Sequence, residues 1–220
     1  MELSIRAIEV LTPRVKAFEL AAAGGETLPA FAAGAHLRVA VRDRMGVPGE
    51  RAYALYNRSG EGIWRIAVAF EPDGQGGSRF LHETLRVGDR LACSGPHGNF
   101  TLADGADDHV LIAQGIGIAP IFAMARALAA RRQTFTVHYG GGARADMALA
   151  DDLLAAAKDR ARLHIGKPLP FARILGAPAA GRHAYVCGPD ATIAAAREAA
   201  AGLGWAAANL HAERLVTPLP

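Results

Sequence analysis

The chain has 220 residues, 51 % of them hydrophobic, enough for one large core or two small ones. Its net charge of +3 is small and its basic residues are scattered, Arg131-Arg132 being the densest pair, which excludes the basic stripe of a nucleic-acid binder. No apolar run is long enough to span a bilayer, and Met1-Glu-Leu-Ser-Ile-Arg6 lacks the basic-then-apolar layout of an export signal, so a cytoplasmic location without a membrane partner is expected.

The first hundred residues read as β. Ser4 to Val10 and Val15 to Leu20 are two short strands separated at Thr12-Pro13. His36 to Val41 alternates with Leu37, Val39 and Val41 on one side, and Arg51 to Tyr56, Ile63 to Phe70 and Arg90 to Cys93 follow. Turn clusters at Gly24-Gly25, Arg42 to Gly49 and Glu71 to Gly77 divide them. This spacing predicts a small closed barrel, six-stranded and antiparallel, with Leu81 to Leu85 as its one helical patch. Two places carry more than scaffolding. Arg51, Tyr53 and Leu55 share one strand face, where an arginine beside a tyrosine can hold a phosphate while the ring packs on a flat ligand; ordinary cross-strand packing gives the same pattern. Gly76-Gly77-Ser78 precedes the helical Arg79 to Leu85 and reads either as an anion site or as a plain N-cap.

Leu102 to Asp108 is polar and glycine-broken, and the boundary falls there, giving units 1–103 and 104–220. Val110 to Ala113 then fits a fully buried strand, Gly115 and Gly117 break it, and Ile121, Met124, Ala125 and Leu128 recur at helical spacing with Pro120 in the first turn. Strand, glycine turn and helix can aim amides at a phosphate, although a tight turn uses the same residues. Strands at Phe135 to Tyr139, Ala161 to Ile165, His183 to Cys187 and Asn209 to Glu213 alternate with helices at Ala148 to Ala157, Phe171 to Leu175 and Ala191 to Ala201. That alternation predicts a parallel sheet flanked by helices, an α/β unit after the β barrel. Gly115 and Cys187-Gly188-Pro189 fall at carboxyl ends of strands, where such sheets take ligands.

The two cysteines, Cys93 and Cys187, and the eight dispersed histidines show no metal-type spacing, so no protein metal site is expected.

Arg51-Ala-Tyr53-Ala, Gly76-Gly-Ser78, Gly115-Ile-Gly117-Ile-Ala-Pro120 and Cys187-Gly-Pro189, in this order, resemble the ferredoxin–NADP reductase superfamily, and within it the branch of phthalate dioxygenase reductase and vanillate demethylase reductase. Leu11-Thr-Pro13, Gly34-Ala-His36, Val87-Gly-Asp89 and His211-Ala-Glu213 extend the likeness over nearly the whole chain. The resemblance implies a flavin-binding barrel, a nicotinamide-binding α/β unit, and a role as the electron-transfer component of an oxygenase or demethylase system. A free-standing flavin reductase, or a flavin-binding docking subunit without catalysis, is the alternative. The cofactors implied are FMN, with FAD as the alternative, and NADH, with NADPH as the alternative. The electron acceptor implied is a separate ferredoxin or oxygenase component.

By position, the resemblance puts Arg51, Gly76, Gly77 and Ser78 on the flavin phosphate and Tyr53 on the isoalloxazine. Ala54 and Ala119 stand near the ring, and Val68, Ala69 and Phe70 lie along it through backbone groups. Gly115, Gly117 and Pro120 shape the nucleotide site. Cys187, Gly188 and Pro189 sit near the nicotinamide, and Glu213 where the two rings meet. NADH is favoured because Gly140-Gly-Gly142 follows the second strand of the unit with only Arg144 nearby as a cation.

Departures from the family stand beside the matches. Ala54 replaces a serine, Ala119 a threonine, Ala69 a basic residue and Leu215 an aromatic. The branch continues into a plant-type 2Fe–2S domain, whereas this chain stops at Pro220, so that domain is expected to be absent or removed. Such a centre needs four thiolates, and Cys93 and Cys187 are the only two here. The purified chain is therefore expected to carry flavin without stoichiometric iron or acid-labile sulfide, which metal analysis checks.

Overall fold

The structure, a computed structural model, describes residues 1–214; Leu215 lies outside the described residues. The first unit is one antiparallel sheet of six strands in the order β4-β3-β6-β1-β2-β5. Its members are β1 (Glu2–Thr12), β2 (Val15–Ala22), β3 (His36–Arg42), β4 (Pro48–Ala54), β5 (Trp64–Ala69) and β6 (Arg90–His97). Alternation decides which side chains go inside. On β5, Trp64, Ile66 and Val68 enter the barrel core with Phe18, Leu20, Leu37 and Val39, while Ala67 and Ala69 belong to the opposite face.

The edge strands β4 and β5 meet at a single bridge, Leu55 to Ile66. Asn57, only 2 % exposed, secures that closure. Its amide donates to the Ile63 carbonyl at 2.9 Å, its oxygen accepts from the Arg65 amide at 2.9 Å, and the Tyr56 amide donates to the Arg65 carbonyl at 3.0 Å. The expected strand Arg51 to Tyr56 is corrected by this geometry. It begins earlier, at Pro48, because Asp43 Oδ1 accepts the amides of Met45 and Val47 at 2.8 Å and tightens the turn. It ends at Ala54, and Leu55 lies in the closure with its side chain fully buried in the barrel core.

The second sheet is parallel, in the order β11-β10-β7-β8-β9. Its strands are β7 (Asp108–Gln114), β8 (Thr134–Gly141), β9 (Ala161–Ile165), β10 (Arg182–Cys187) and β11 (Leu210–Glu213). Leu111, Ala113, Val137, Tyr139 and Cys187 pack with helices α2 (Ile118–Ala130) and α3 (Ala150–Ala157). Val110, Ile112, Ala184 and Val186 pack on the other face with α4 (Phe171–Leu175) and α5 (Asp190–Gly202). Both faces are covered, which is why these strands read as apolar runs. Helix α2 starts at Ile118, earlier than its spacing suggests, directly after a 3-10 turn over Gly115–Gly117.

One apolar cluster crosses between the sheets. Val15, Ala17, Ala54, Tyr56 and Ala67 of the barrel join Ile118, Ala119 and Phe122 of α2. The rings of Tyr56 and Phe122 lie 6.4 Å apart, and Arg126 reaches Glu61 at 3.4 Å. Replacing Asn57 by alanine leaves the Ile63 carbonyl and the Arg65 amide unpaired, which costs about 1–3 kcal/mol. Denaturant melts of Asn57→Ala are expected to show that loss, with faster hydrogen exchange at Arg65.

Candidate functional site

A cavity of about 250 Å³ lies on the seam between the two sheets. Its barrel wall includes Arg51, Tyr53, Ala54, Ala67, Ala69 and the turn Gly74 to Ser78, and its other wall is Ile116 and Ala119. Arg51 is held at one end, donating to the Glu50 carbonyl at 2.7 Å and to Gln75 Oε1 at 2.6 Å. Gly76, at φ 102°, tolerates no side chain, because a Cβ there would meet the Arg44 amide nitrogen at 2.5 Å. A Cβ on Gly77 would press on Arg51 Cγ at 3.0 Å, so the glycine lets the guanidinium stem lie against the turn.

This turn opens a short helix, α1 (Gly77–Arg79), that widens into a π-helical turn over Phe80–Thr84. The plain N-cap alternative does not fall on Ser78. Gly76 is the N-cap residue, and the Ser78 hydroxyl accepts the Glu71 amide at 3.0 Å, closing the loop onto the helix. The first amides of the turn have no intrahelical acceptor, and Gly76, Gly77 and Ser78 line the cavity together with Arg51 and Glu71.

Of the three residues expected along the ring, only Ala69 lines the cavity. The Val68 side chain is fully buried in the barrel core, and its carbonyl accepts His82 Nε2 at 2.8 Å. Phe70 turns its ring to His82 and to the Arg79 guanidinium, 5.4 and 5.3 Å away. Tyr53 keeps its proton, since burial pushes its phenol well above the ordinary range. Ala54 and Ala119 are both buried in the seam, so a hydroxyl at either place would need a partner inside the cavity.

The nucleotide-side residues converge through backbone packing. Gly115 is left-handed at φ 57°. A Cβ on Gly117 would fall 2.1 Å from the Cys187 carbonyl oxygen, and one on Gly188 2.8 Å from Gln114 Cβ, so both glycines serve close approach of the strand ends. Pro120 is buried in the first turn of α2. Pro189 is the N-cap of α5. Cys187 is fully buried, and burial together with the neighbouring Glu213 pushes its thiol far up, which disfavours the thiolate.

Glu213 is paired with Cys187 across β11 and β10, and its Oε1 lies 3.9 Å from His36 Nδ1. Burial lifts Glu213 to about 7 and, with the charges of His97 and Arg38, lowers His36. Burial thus opposes the charged form of both groups.

Several participants escaped the sequence reading. Ala52, Ala67, Glu71, Gly74, Gln75 and Ile116 line the cavity, and His36 faces Glu213. The β5 alternation could have exposed Ala67; His36 stood within Gly34-Ala-His36 without a visible partner. The residues present fit a flat, phosphate-ended cofactor, with small side chains along the slot, one aromatic, and an arginine with free amides at one end. Among the described residues no three His, Cys, Asp or Glu side chains are placed to hold a metal, and no helix is long and apolar enough to cross a membrane.

Comparison with known proteins agrees with this geometry. The oxidoreductase FAD-binding domain model matches residues 2–102, and the model of the N-terminal domain of dimethylamine monooxygenase subunit DmmA-like proteins matches residues 93–210. The carnitine monooxygenase reductase subunit of Escherichia coli is 36 % identical, over 97 % of this chain and 68 % of its own length. Vanillate O-demethylase oxidoreductase of a Pseudomonas species has the same identity and coverage. The chain belongs to this oxygenase-reductase family.

Solved phthalate dioxygenase reductase, 31 % identical, superposes on the reductase with a TM-score of 0.89 over 97 % of this chain and 67 % of that one. The reductase is thus a flavoprotein oxidoreductase that works with a pyridine nucleotide.

The Glu213 environment has a pH signature. Its folded pKa stands above the ordinary 4.5, so its contribution to stability is fully present below that value and is lost as pH rises through about 7. His36, lowered from 6.5, acts in the opposite sense and costs stability as pH falls below that value. Glu213→Gln removes the first dependence. The wild-type stability advantage over this variant is expected to shrink by about 1–3 kcal/mol between pH 5 and pH 8, and unfolding at a series of pH values checks it.

Proposed function

We propose that the reductase takes hydride from NADH onto FMN and passes electrons one at a time to a separate iron–sulfur or haem protein, with residues 1–103 as the flavin unit and 104–220 as the nucleotide unit. The observation that carries this reading is the convergence of Arg51 and the Gly76–Ser78 turn with Ile116 and Ala119 on one cavity. When bound, the flavin supplies the two-electron to one-electron conversion. The chain supplies position and dryness. Arg51 and the turn amides hold the phosphate, Tyr53 and the alanines flank the ring, and the seam excludes water from the reacting atoms.

FMN is favoured over FAD because one end of the cavity is an arginine and a helix start, suited to a terminal phosphate. The FAD-binding family model keeps FAD as the competing outcome. Gly115, Gly117 and Pro120 form the floor for the nucleotide, with Cys187, Gly188, Pro189 and Glu213 at its nicotinamide end. Cys187 acts there as a compact neutral side chain. NADH is favoured over NADPH because Arg144, the cation after β8, is ion-paired with Asp151. The separate acceptor follows from the company of relatives, which includes reductase components of monooxygenase and demethylase systems.

A charge-assisted hydrogen bond to phosphate contributes about 1.5–3 kcal/mol. Arg51→Ala is therefore expected to weaken FMN binding by about one to two powers of ten, measured by fluorescence titration of the flavin-depleted protein. Mass analysis of the released cofactor must give FMN, and NADH must bleach it without oxygen. Release of FAD overturns the flavin assignment, and failure to bleach supports a docking subunit instead.

A further inference from the structure

Directly after the glycine turn of the cavity comes a π-helical turn, Phe80–Thr84, a rare element that recurs at functional sites. It carries His82, which is half-buried and bound from two strands of the barrel. The ring Nε2 meets the Val68 carbonyl of β5 at 2.8 Å, and Lys16 Nζ of β2 donates to the His82 carbonyl at 2.8 Å. Phe70 packs on the imidazole with ring centroids 5.4 Å apart, and the Arg79 guanidinium lies over Phe70 at 5.3 Å. A carbonyl can only accept, so Nε2 carries the proton. Burial, the largest influence, holds His82 below its ordinary 6.5; Lys16 acts in the same sense, and the Val68 bond and Glu83 act against it. At neutral pH the ring is therefore the uncharged Nε2–H tautomer.

The strand register connects this bond to the cavity wall. The Phe70 amide donates to the Arg14 carbonyl at 2.7 Å. Bonded pairs alternate along an antiparallel ladder, so Lys16 and Val68 form the next bonded pair, while Ala69, opposite Val15, belongs to a non-bonded one. The Val68 carbonyl therefore points to β2. Across the planar trans peptide, the Ala69 amide points the other way. Arg65, of the same parity as Ala69, marks that direction, since its carbonyl accepts the Tyr56 amide of the closure at 3.0 Å. Ala69 lies past the single Leu55 to Ile66 bridge, where it lines the cavity. One rigid peptide thus has His82 on its carbonyl edge and the cavity on its amide edge.

We propose that His82 is a positioning residue for the flavin, fixing the Val68–Ala69 peptide so that the Ala69 amide meets the isoalloxazine. This rests on the flavin reading. Beyond the closure bridge no strand pairs with β5 on its cavity side, so the plane of this peptide is set from the carbonyl edge alone. There the Lys16 amide and the His82 ring take the two lone pairs of the Val68 oxygen. A donor on the carbonyl also polarises the amide of the same unit. A dipole preset toward the ring acts most strongly on the form of the ring that carries more negative charge. The His82 bond therefore favours reduced flavin over oxidised flavin.

Two measurements test this role. In the flavin-depleted protein, ring-nitrogen NMR is expected to show the His82 proton on Nε2, exchanging slowly with water. A proton on Nδ1 overturns the proposal without any variant or cofactor. In the flavin-loaded protein, the midpoint potential is read by dithionite titration against reference dyes. His82→Phe keeps a ring beside Phe70 and removes the donor. It is expected to weaken binding of reduced relative to oxidised flavin about tenfold, a fall of about 30 mV for a two-electron couple. His82→Gln keeps an N–H donor and is expected to recover most of that fall. An unchanged potential in His82→Phe, or an equal fall in His82→Gln, overturns the proposal. Should His82→Phe fail to fold, the NMR spectrum decides alone. If NADH fails to bleach a bound flavin, the functional reading falls, while the potentials and the spectrum still judge His82.

Discussion

Helix α2 lies against the outside of the barrel because the barrel presents alanine there. Ala17 and Ala67 face each other across β2 and β5, Ala54 comes from β4, and Ala119 meets them from the helix. Methyl-sized side chains let backbones approach closely, and the larger Tyr56 and Phe122 fill the margin. Buried apolar area stabilises the seam at roughly 25 cal/mol per Å², so this contact holds the sheets together as well as walling the cavity. The same methyl groups that pack the seam leave a slot beside Ile116 and Ala69.

Everything polar about the site is then arranged around that apolar wall. The Arg51 end carries a guanidinium beside the glycine turn, with the Glu71 carboxylate also on the wall, whereas burial raises the pKa of Glu213 at the end of β11. The close packing of Gly117 on Cys187 fixes the second wall against the end of β10.

Much of this was legible from the chain alone, and for local reasons. Val110 to Ala113 announced a strand buried on both faces, and Gly115, Gly117 and Pro120 announced the turn into α2 because each answers a backbone demand within its own neighbourhood. Arg51 and Gly76–Gly77 were found through motif order. What stayed hidden was non-local. Asn57 looks like an ordinary loop residue until β4 and β5 are brought together around it. Ser78 offered a cap by position, but the amide of Glu71, seven residues back, claimed its hydroxyl. His36 and Glu213 are separated by most of the chain, and no periodicity links them.

The apolar cluster that crosses the seam also bears on how such proteins can be recombined. Relatives in this family carry further segments beyond the part matched here, which suggests parts that exchange freely. The alanine face and the α2 start do not fit that picture, because each is shaped only for the other. A chimera that joins this barrel to a foreign nucleotide half inherits one side of a fitted joint. Its parent boundary near residue 103 would preserve both sheets and still lose the slot, unless Ala17, Ala54 and Ala67 travel together with the residues that α2 sets against them. Inheritance in this fold therefore runs by matched surfaces as much as by segments of chain.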